Sequence, residues 1–234
     1  MRTEPSKLSF WGRWVAANTL GELAGLGVVG AVASSVVRVF GEPVSAGYAL
    51  AFAAMSVCLG AVEGAIVGYA QASVLRRRLP RLRGWIAATA LGAAVAWALG
   101  MLPSTVASLY RPPGPAPAPD VPDWLQLLLA APLGVVAGTI LAWPQWRVLR
   151  RHVAHAGWWL AANALAWAFA MPLVFVAAGV RPETGAALAA VIVIVCLAAA
   201  GAVAGAVHGA YLVWLLDSLP RRLERRAGAT GARA

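Results

Sequence analysis

Charged residues are scarce in this sequence. Asp, Glu, Lys and Arg make up 12% of its 234 residues, whereas a soluble domain has about 25%. Hydrophobic residues make up 61% and form long runs. This composition excludes a soluble enzyme, a disordered chain and a nucleic-acid-binding module, and it indicates a polytopic membrane protein. The net charge of +10 comes from arginine clusters between apolar runs, which favours contacts with anionic lipid headgroups rather than with nucleic acid.

Residues that hold metals, cofactors or disulfides are also few. Cys58 and Cys196 are the two cysteines, and their place inside apolar runs predicts buried, reduced thiols. The three histidines lack the spacing of a zinc site with Cys or acidic residues. The sequence has neither a Gly-rich phosphate-binding loop nor a Gly-x-Ser-x-Gly motif. We therefore expect a non-enzymatic protein with no metal site and no cofactor.

Six apolar runs are long enough to cross a membrane as helices, which takes roughly 20 residues each. They cover residues 12–38, 47–75, 84–109, 124–149, 157–180 and 184–216. The first run is too long for the apolar region of a signal peptide and contains Asn18 and Glu22, so we expect it to be retained. The sequence thus predicts an all-α integral membrane protein with a single transmembrane domain over residues 1–234.

The basic residues predict the orientation. Sixteen of the 19 Lys and Arg residues lie at the two termini and between spans two and three or four and five. Because basic loops stay in the cytoplasm, both termini are expected there. Residues 217–234 would form a basic cytoplasmic tail, and the Pro-rich residues 110–123 would form an external loop.

The chain contains an internal repeat. Residues 60–91 and 134–165 match at a constant offset: a Gln and a Val-Leu-Arg-Arg sequence end one span, and a Trp begins the next. The N-terminal span repeats the second half of this unit, and the C-terminal span repeats the first half. This pattern predicts three helical hairpins in a six-helix bundle with approximate threefold symmetry about the membrane normal.

Small residues and tryptophans recur in the repeat. Spans two, four and six carry glycines at helical spacing, which favour close helix packing; a glycine-lined pore is the alternative. These glycines are Gly60, Gly64, Gly68, Gly134, Gly138, Gly201, Gly205 and Gly209. The repeat-equivalent Trp14, Trp85 and Trp159 are expected near the cytoplasmic membrane surface, with their indole N–H groups among the headgroups.

Two motifs carry a resemblance to known proteins. Trp-x-x-Ala-Asn begins span five at residues 159–163, and Gln-Trp-x-Val-Leu-Arg-Arg covers residues 145–151. The combination resembles a group of uncharacterised bacterial multi-pass membrane proteins over most of the chain. The resemblance implies no activity; it implies a bacterial cytoplasmic membrane as the location.

Some polar residues interrupt the repeat and are therefore not required by the shared scaffold. Glu63 has Ala137 and Ala204 as its equivalents. Intramembrane acids are candidates for function by default, and both Glu22 and Glu63 are expected roughly 16–18 Å from the cytoplasmic boundary. The candidate polar site comprises Glu22, Glu63, Asn18, Asn163 and His208.

We expect these side chains to point away from lipid, and the two glutamates to lie at the floor of a cavity open to the cytoplasm. Alternatively, the glutamates are neutral and hydrogen-bonded between helices, and the amides only join helices.

Three functions are compatible with these features. The leading one is a small permease-like protein that uses the site near Glu22 and Glu63. The alternative is a membrane-embedded accessory or scaffold subunit with a membrane-protein partner. The third is an enzyme acting on lipids, although no nucleophile is evident. In all three, the bilayer is a partner, and the residues expected to contact anionic headgroups are Arg76, Arg77, Arg78, Arg150 and Arg151.

Overall fold

The computed structural model describes residues 6–41, 45–79, 82–110 and 122–217. These residues form six long α-helices and one short 3-10 turn, with no β-strand among them. The helices are α1 (Lys7–Phe40), α2 (Ala46–Leu75), α3 (Trp85–Leu109), α4 (Asp123–Leu149), α5 (Trp158–Ala178) and α6 (Ala186–Asp217), and the turn covers Pro182–Thr184. All six helices are long and apolar enough to cross a membrane. The expected class, an all-α multi-pass membrane protein, is confirmed.

Polar residues at the helix ends explain where the helices begin and stop. α1 begins at Lys7, before the apolar run expected at residue 12, because the Ser6 hydroxyl oxygen accepts a hydrogen bond from the N–H of Ser9 at 3.2 Å. Ser45 caps α2 in the same way, through the N–H of Tyr48 at 3.3 Å. Gly41, which follows α1, has a φ of 78°, a conformation that glycine adopts without steric cost.

The six helices form a closed ring. Each helix packs against the next one along the chain, and α6 packs against α1. The most extensive interfaces are α2–α3, α4–α5 and α1–α6, and the smallest one is α3–α4. The threefold symmetry expected from the repeat stays a prediction.

Glycines allow the helices of the extensive interfaces to approach each other closely. A Cβ atom on Gly64 of α2 would lie 2.8 Å from the Cα atom of Ala90 on α3, and one on Gly201 of α6 would lie 2.8 Å from the Cα atom of Thr19 on α1. On α4, a Cβ atom at Gly138 would collide with the backbone of Asn163. Backbone contact of this kind is a principal source of helix association in lipid, because the hydrophobic effect does not drive association there.

The largest hydrophobic core lies at the end of the bundle that carries the α2–α3 and α4–α5 loops, the start of α1 and the end of α6. We call this the basic end, because the loops contain the arginine clusters. Its core includes Phe10, Leu75, Leu79, Leu82, Leu149, Val153, Leu212 and Leu215 together with three tryptophans. An ion pair between Lys7 and Asp217, 2.6 Å apart, joins α1 to α6 there.

The lateral surface is covered by large apolar side chains, as expected for a surface that faces lipid. The two cysteines belong to this surface: Cys58 is exposed and Cys196 is half-buried. The expectation of buried thiols was therefore wrong. An apolar run in a membrane helix has a lipid-facing side as well as an inner side, and a small thiol is tolerated on either.

Candidate functional site

Three tryptophans fill the centre of the basic end. Trp14, Trp85 and Trp159 are at most 1% exposed, with ring centroids 6.2 Å apart for Trp14 and Trp159 and 5.9 Å apart for Trp85 and Trp159. The expectation that their indole N–H groups lie among the headgroups was wrong. A buried indole needs an acceptor for its N–H, and the bundle interior supplies one for each ring.

The three acceptors come from α2, α4 and α6. Trp85 donates to Gln71 Oε1 at 3.0 Å, and Trp159 donates to Gln145 Oε1, also at 3.0 Å. Trp14 instead donates to Nδ1 of His208 at 2.9 Å. The repeat aligns Leu212 with the two glutamines, so His208, one helical turn earlier on α6, takes over the acceptor role.

Side-chain amides connect these pairs into a network. Gln71 donates to Asn18 Oδ1 at 2.9 Å and thereby joins α2 to α1. Gln145 donates to the hydroxyl oxygen of Thr89 at 2.9 Å and lies 3.3 Å from Gln71 Oε1. Asn163 donates to the carbonyl oxygen of Trp159 at 2.9 Å, within its own helix. This arrangement supports the alternative in which amides, Asn18 included, join helices.

The two candidate acids lie on α1 and α2 and are buried, with Glu22 4% exposed and Glu63 7% exposed. Gly25 allows α1 to approach Glu63, since a Cβ atom on it would lie 2.8 Å from Glu63 Cγ. Glu22 precedes Gly25 by one helical turn on the same face of α1, so both acids lie in the same region of the α1–α2 interface. The structure thus brings Glu22 and Glu63 together, whereas His208 belongs to the tryptophan network.

The hydrogen bonding of the two acids is incomplete. Glu63 Oε2 accepts a hydrogen bond from the indole N–H of Trp97 at 2.6 Å. Glu22 Oε2 is buried and has no hydrogen-bond partner among the described residues. Within the same residues, neither acid forms an ion pair. A buried polar atom without a partner is costly, so this position is one where a ligand or a proton would be stabilising.

A cavity of about 360 Å³ lies beside these acids. Glu63 and Trp97 line it together with residues between 93 and 101 of α3, 133 and 141 of α4, and 167 and 175 of α5. It extends from the middle of the bundle away from the basic end. The expectation that the cavity opens at the basic end was therefore wrong. The three indole rings and the glutamine network fill that half of the bundle.

Trp97 was not among the residues singled out from the sequence, although a signal for it exists. The repeat pairs it with Leu26 and Met171, so it interrupts the repeat as Glu63 does. A comparison of polar and charged side chains between the copies does not reveal it, because an indole ring counts as apolar. Gln71 and Gln145, which the repeat preserves, were likewise absent from the candidate site.

The five arginines expected to contact lipid headgroups lie at the basic end, and four of them are exposed. Arg76, Arg77, Arg150 and Arg151 are exposed, and Arg78 is half-buried. The guanidinium group of Arg78 lies 5.7 Å from the ring centroid of Phe10, and that of Arg150 lies 4.8 Å from the ring of Trp146. These contacts hold two of the cations at the rim of the bundle.

Within the described part of the chain, no three His, Cys, Asp or Glu residues are grouped so that they could hold a metal ion. Comparison of the chain with family models, with curated proteins and with solved structures finds no match.

Proposed function

We propose that this chain is a small, non-enzymatic, permease-like protein whose polar site is the Glu22–Glu63 pair. The observation that supports the proposal is the pairing of two buried acids, without a basic partner in the described residues, beside a cavity of about 360 Å³. Acids in such a setting are typical of substrate and ion pathways through membranes.

The cost of the acids argues for a use. A charged side chain at the centre of a membrane helix costs about 3 kcal/mol on insertion scales. The scaffold does not require it, because Ala137 and Ala204 occupy the positions equivalent to Glu63, and Ala204 packs in the core with 1% exposure. In a permease, such groups serve the pathway of the substrate or ion.

We further propose that the chain lies in a bacterial cytoplasmic membrane, with both termini and the basic end in the cytoplasm, and that it is related to the bacterial proteins its motifs resemble. In this orientation the cavity belongs to the outer half of the membrane. The tryptophan–glutamine network then closes the path to the cytoplasm, and transport requires this network to open.

Cysteine accessibility tests both the orientation and the permease function without knowledge of the substrate. The background replaces Cys58 and Cys196 with serine. Ala137→Cys reports on the cavity wall, Ala116→Cys on the Pro-rich loop and Ala154→Cys on the α4–α5 loop. A membrane-impermeant maleimide is applied to right-side-out and inside-out vesicles. We expect position 116 to react only from outside, position 154 only from the cytoplasmic side, and position 137 from both.

Two results would contradict the proposal. Reaction at position 116 from the cytoplasmic side would overturn the orientation. Reaction at position 137 from one side only would show that the cavity is not accessible from both sides of the membrane. That result would favour the alternative of a membrane-embedded accessory or scaffold subunit with a membrane-protein partner. Ala204→Cys is the matched control, because this alanine is 1% exposed and should not react from either side.

The arginines of the basic end support a second interaction. We propose that Arg76, Arg77 and Arg78, with Arg150 and Arg151, contact anionic lipid headgroups at the cytoplasmic surface. Guanidinium groups pair with phosphates through two parallel hydrogen bonds, and clusters next to membrane helices attract anionic lipids.

A further inference from the structure

The cavity has an almost wholly apolar wall. Apart from the Glu63 carboxylate and the indole N–H groups of Trp97 and Trp167, its lining consists of aliphatic, methionine and phenylalanine side chains and glycine. Trp97 already donates its N–H to Glu63 Oε2 at 2.6 Å. The cavity therefore offers one strong acceptor group within an apolar enclosure, and its volume falls in the range of small-molecule sites.

Among the described residues, the carboxyl group of Glu63 has no basic partner. The central parts of all six helices contain no Lys or Arg, and Glu22 adds a second carboxyl group one helical turn from Gly25, the residue of α1 that packs against Glu63. Carboxylates accept hydrogen bonds and attract cations, whereas they repel anions. A ligand that completes this site therefore carries a hydrogen-bond-donating cation.

The cavity has a side opening toward lipid. Leu99 and Leu133 line it and are 49% and 42% exposed on the lateral surface, and Val136 is 56% exposed. They flank the α3–α4 interface, which is the smallest in the ring. Pro103, Pro132 and Pro172 lie in the three helices that form most of the wall, and each removes one backbone hydrogen bond from its helix.

We propose that this cavity binds a compact lipophilic amine, which enters from the lipid between α3 and α4 and places its protonated amino group on Glu63 beside Glu22. This inference rests on the proposed function and names its substrate class. The amine headgroup of a bilayer phospholipid does not fit the proposal. It lies at the interface, roughly 15 Å from the midplane. Glu63 lies near the midplane, since it is twelve residues, or about 18 Å, from the end of α2.

Photolabelling with a matched pair of probes tests the ligand class. The protein in phosphatidylcholine nanodiscs is irradiated with a diazirine-bearing alkylamine or with the alcohol of the same chain length, and labelled residues are mapped by mass spectrometry. We expect the amine to label 93–101, 133–141 and 167–175 about tenfold more than the alcohol, the factor expected for one charge-assisted hydrogen bond.

Variants assign this preference to the acid. Glu63→Gln is expected to reduce amine labelling about tenfold and to leave alcohol labelling unchanged, which also shows that the cavity remains folded. Glu183→Gln, at an exposed acid outside the membrane core, is expected to change neither. Val136→Trp fills the mouth of the cavity and is expected to reduce labelling by both probes, so it tests the entry route independently of Glu63.

The proposal is overturned by equal labelling with amine and alcohol, by an amine preference that persists in Glu63→Gln, or by labels confined to the outer lipid-facing surface. Its failure is distinguishable from failure of the proposed function. An amine preference without two-sided reaction at position 137 indicates amine binding without transport. Two-sided reaction with equal labelling indicates a permease for another class of substrate.

Discussion

Replacing Gln145 with leucine removes the residue that links α4 to three other helices in the basic end. Its side chain accepts the indole N–H of Trp159 at 3.0 Å and donates to Thr89 at 2.9 Å, with a longer contact to Gln71 at 3.3 Å. Leucine has a similar volume and no polar atoms. The substitution therefore tests the hydrogen bonds with little change in packing.

The expected loss is about 2 kcal/mol in the free energy of unfolding. Trp159 is fully buried, so its N–H would lose its only partner in the described residues, and an orphaned buried donor costs about 1–3 kcal/mol. Thr89 keeps its own donation to the carbonyl of Trp85 at 2.9 Å and loses less. Hydrogen bonds between membrane helices average only about 0.6 kcal/mol, so we place the combined loss at Trp159 and Thr89 at about 2 kcal/mol. This corresponds to a roughly 30-fold change in the unfolding constant.

Steric trapping in bicelles, followed by tryptophan fluorescence, measures this free energy. Thr139→Val is the matched control on the same helix, because its hydroxyl donates only to the carbonyl of Val135 at 2.8 Å and the side chain is not buried. We expect that variant to change stability by less than about 0.5 kcal/mol.

A double-mutant cycle with Trp159→Phe isolates the Gln145–Trp159 hydrogen bond, and we expect a coupling of about 1 kcal/mol. The reasoning would be refuted if Gln145→Leu destabilised no more than Thr139→Val, or if the cycle showed no coupling. Either result would mean that the indole N–H finds another partner when the amide is absent.

Two further predictions concern the cavity and the basic end. A Cβ atom on Gly60 would collide with the indole ring of Trp97, so Gly60→Ala should weaken the indole–carboxylate hydrogen bond and reduce the amine-over-alcohol labelling ratio severalfold. Gly30→Ala, where a Cβ atom meets nothing within 4 Å, should leave the ratio unchanged and raise helix stability by up to about 1 kcal/mol. Replacing Arg76 and Arg77 with glutamine should lower the number of phosphatidylglycerol molecules retained in native mass spectrometry without changing the unfolding free energy; equal retention would contradict the lipid contact.

Comparison between repeat copies was the most informative use of the sequence for the candidate site. Glu63 stood out because Ala137 and Ala204 fill its equivalent positions, and the structure places its side chain inside the bundle, next to Glu22. The same comparison would have found Trp97, the partner of Glu63. It does not find Gln71 and Gln145, because these two residues are identical in their copies of the repeat.

The number of helices and their bounds followed from the sequence alone. Crossing a bilayer requires a continuous apolar segment of sufficient length, and that property is local, so it can be recognised without knowledge of neighbouring helices. The structure changed these bounds by a few residues, chiefly at Lys7, where a serine cap extends α1 beyond its apolar run.

For the apolar side chains, the side of each helix that faces inward was decided by the tertiary structure. In a soluble protein, apolar periodicity marks the inner face, but lipid is as apolar as a helix interface, so the six runs show no such contrast. For this reason Cys58 was expected inside and lies outside, and the indole N–H groups of the three tryptophans were expected among the headgroups and find their acceptors inside the bundle. The cavity likewise depends on how five helices meet, since its wall combines residues that lie far apart in the sequence.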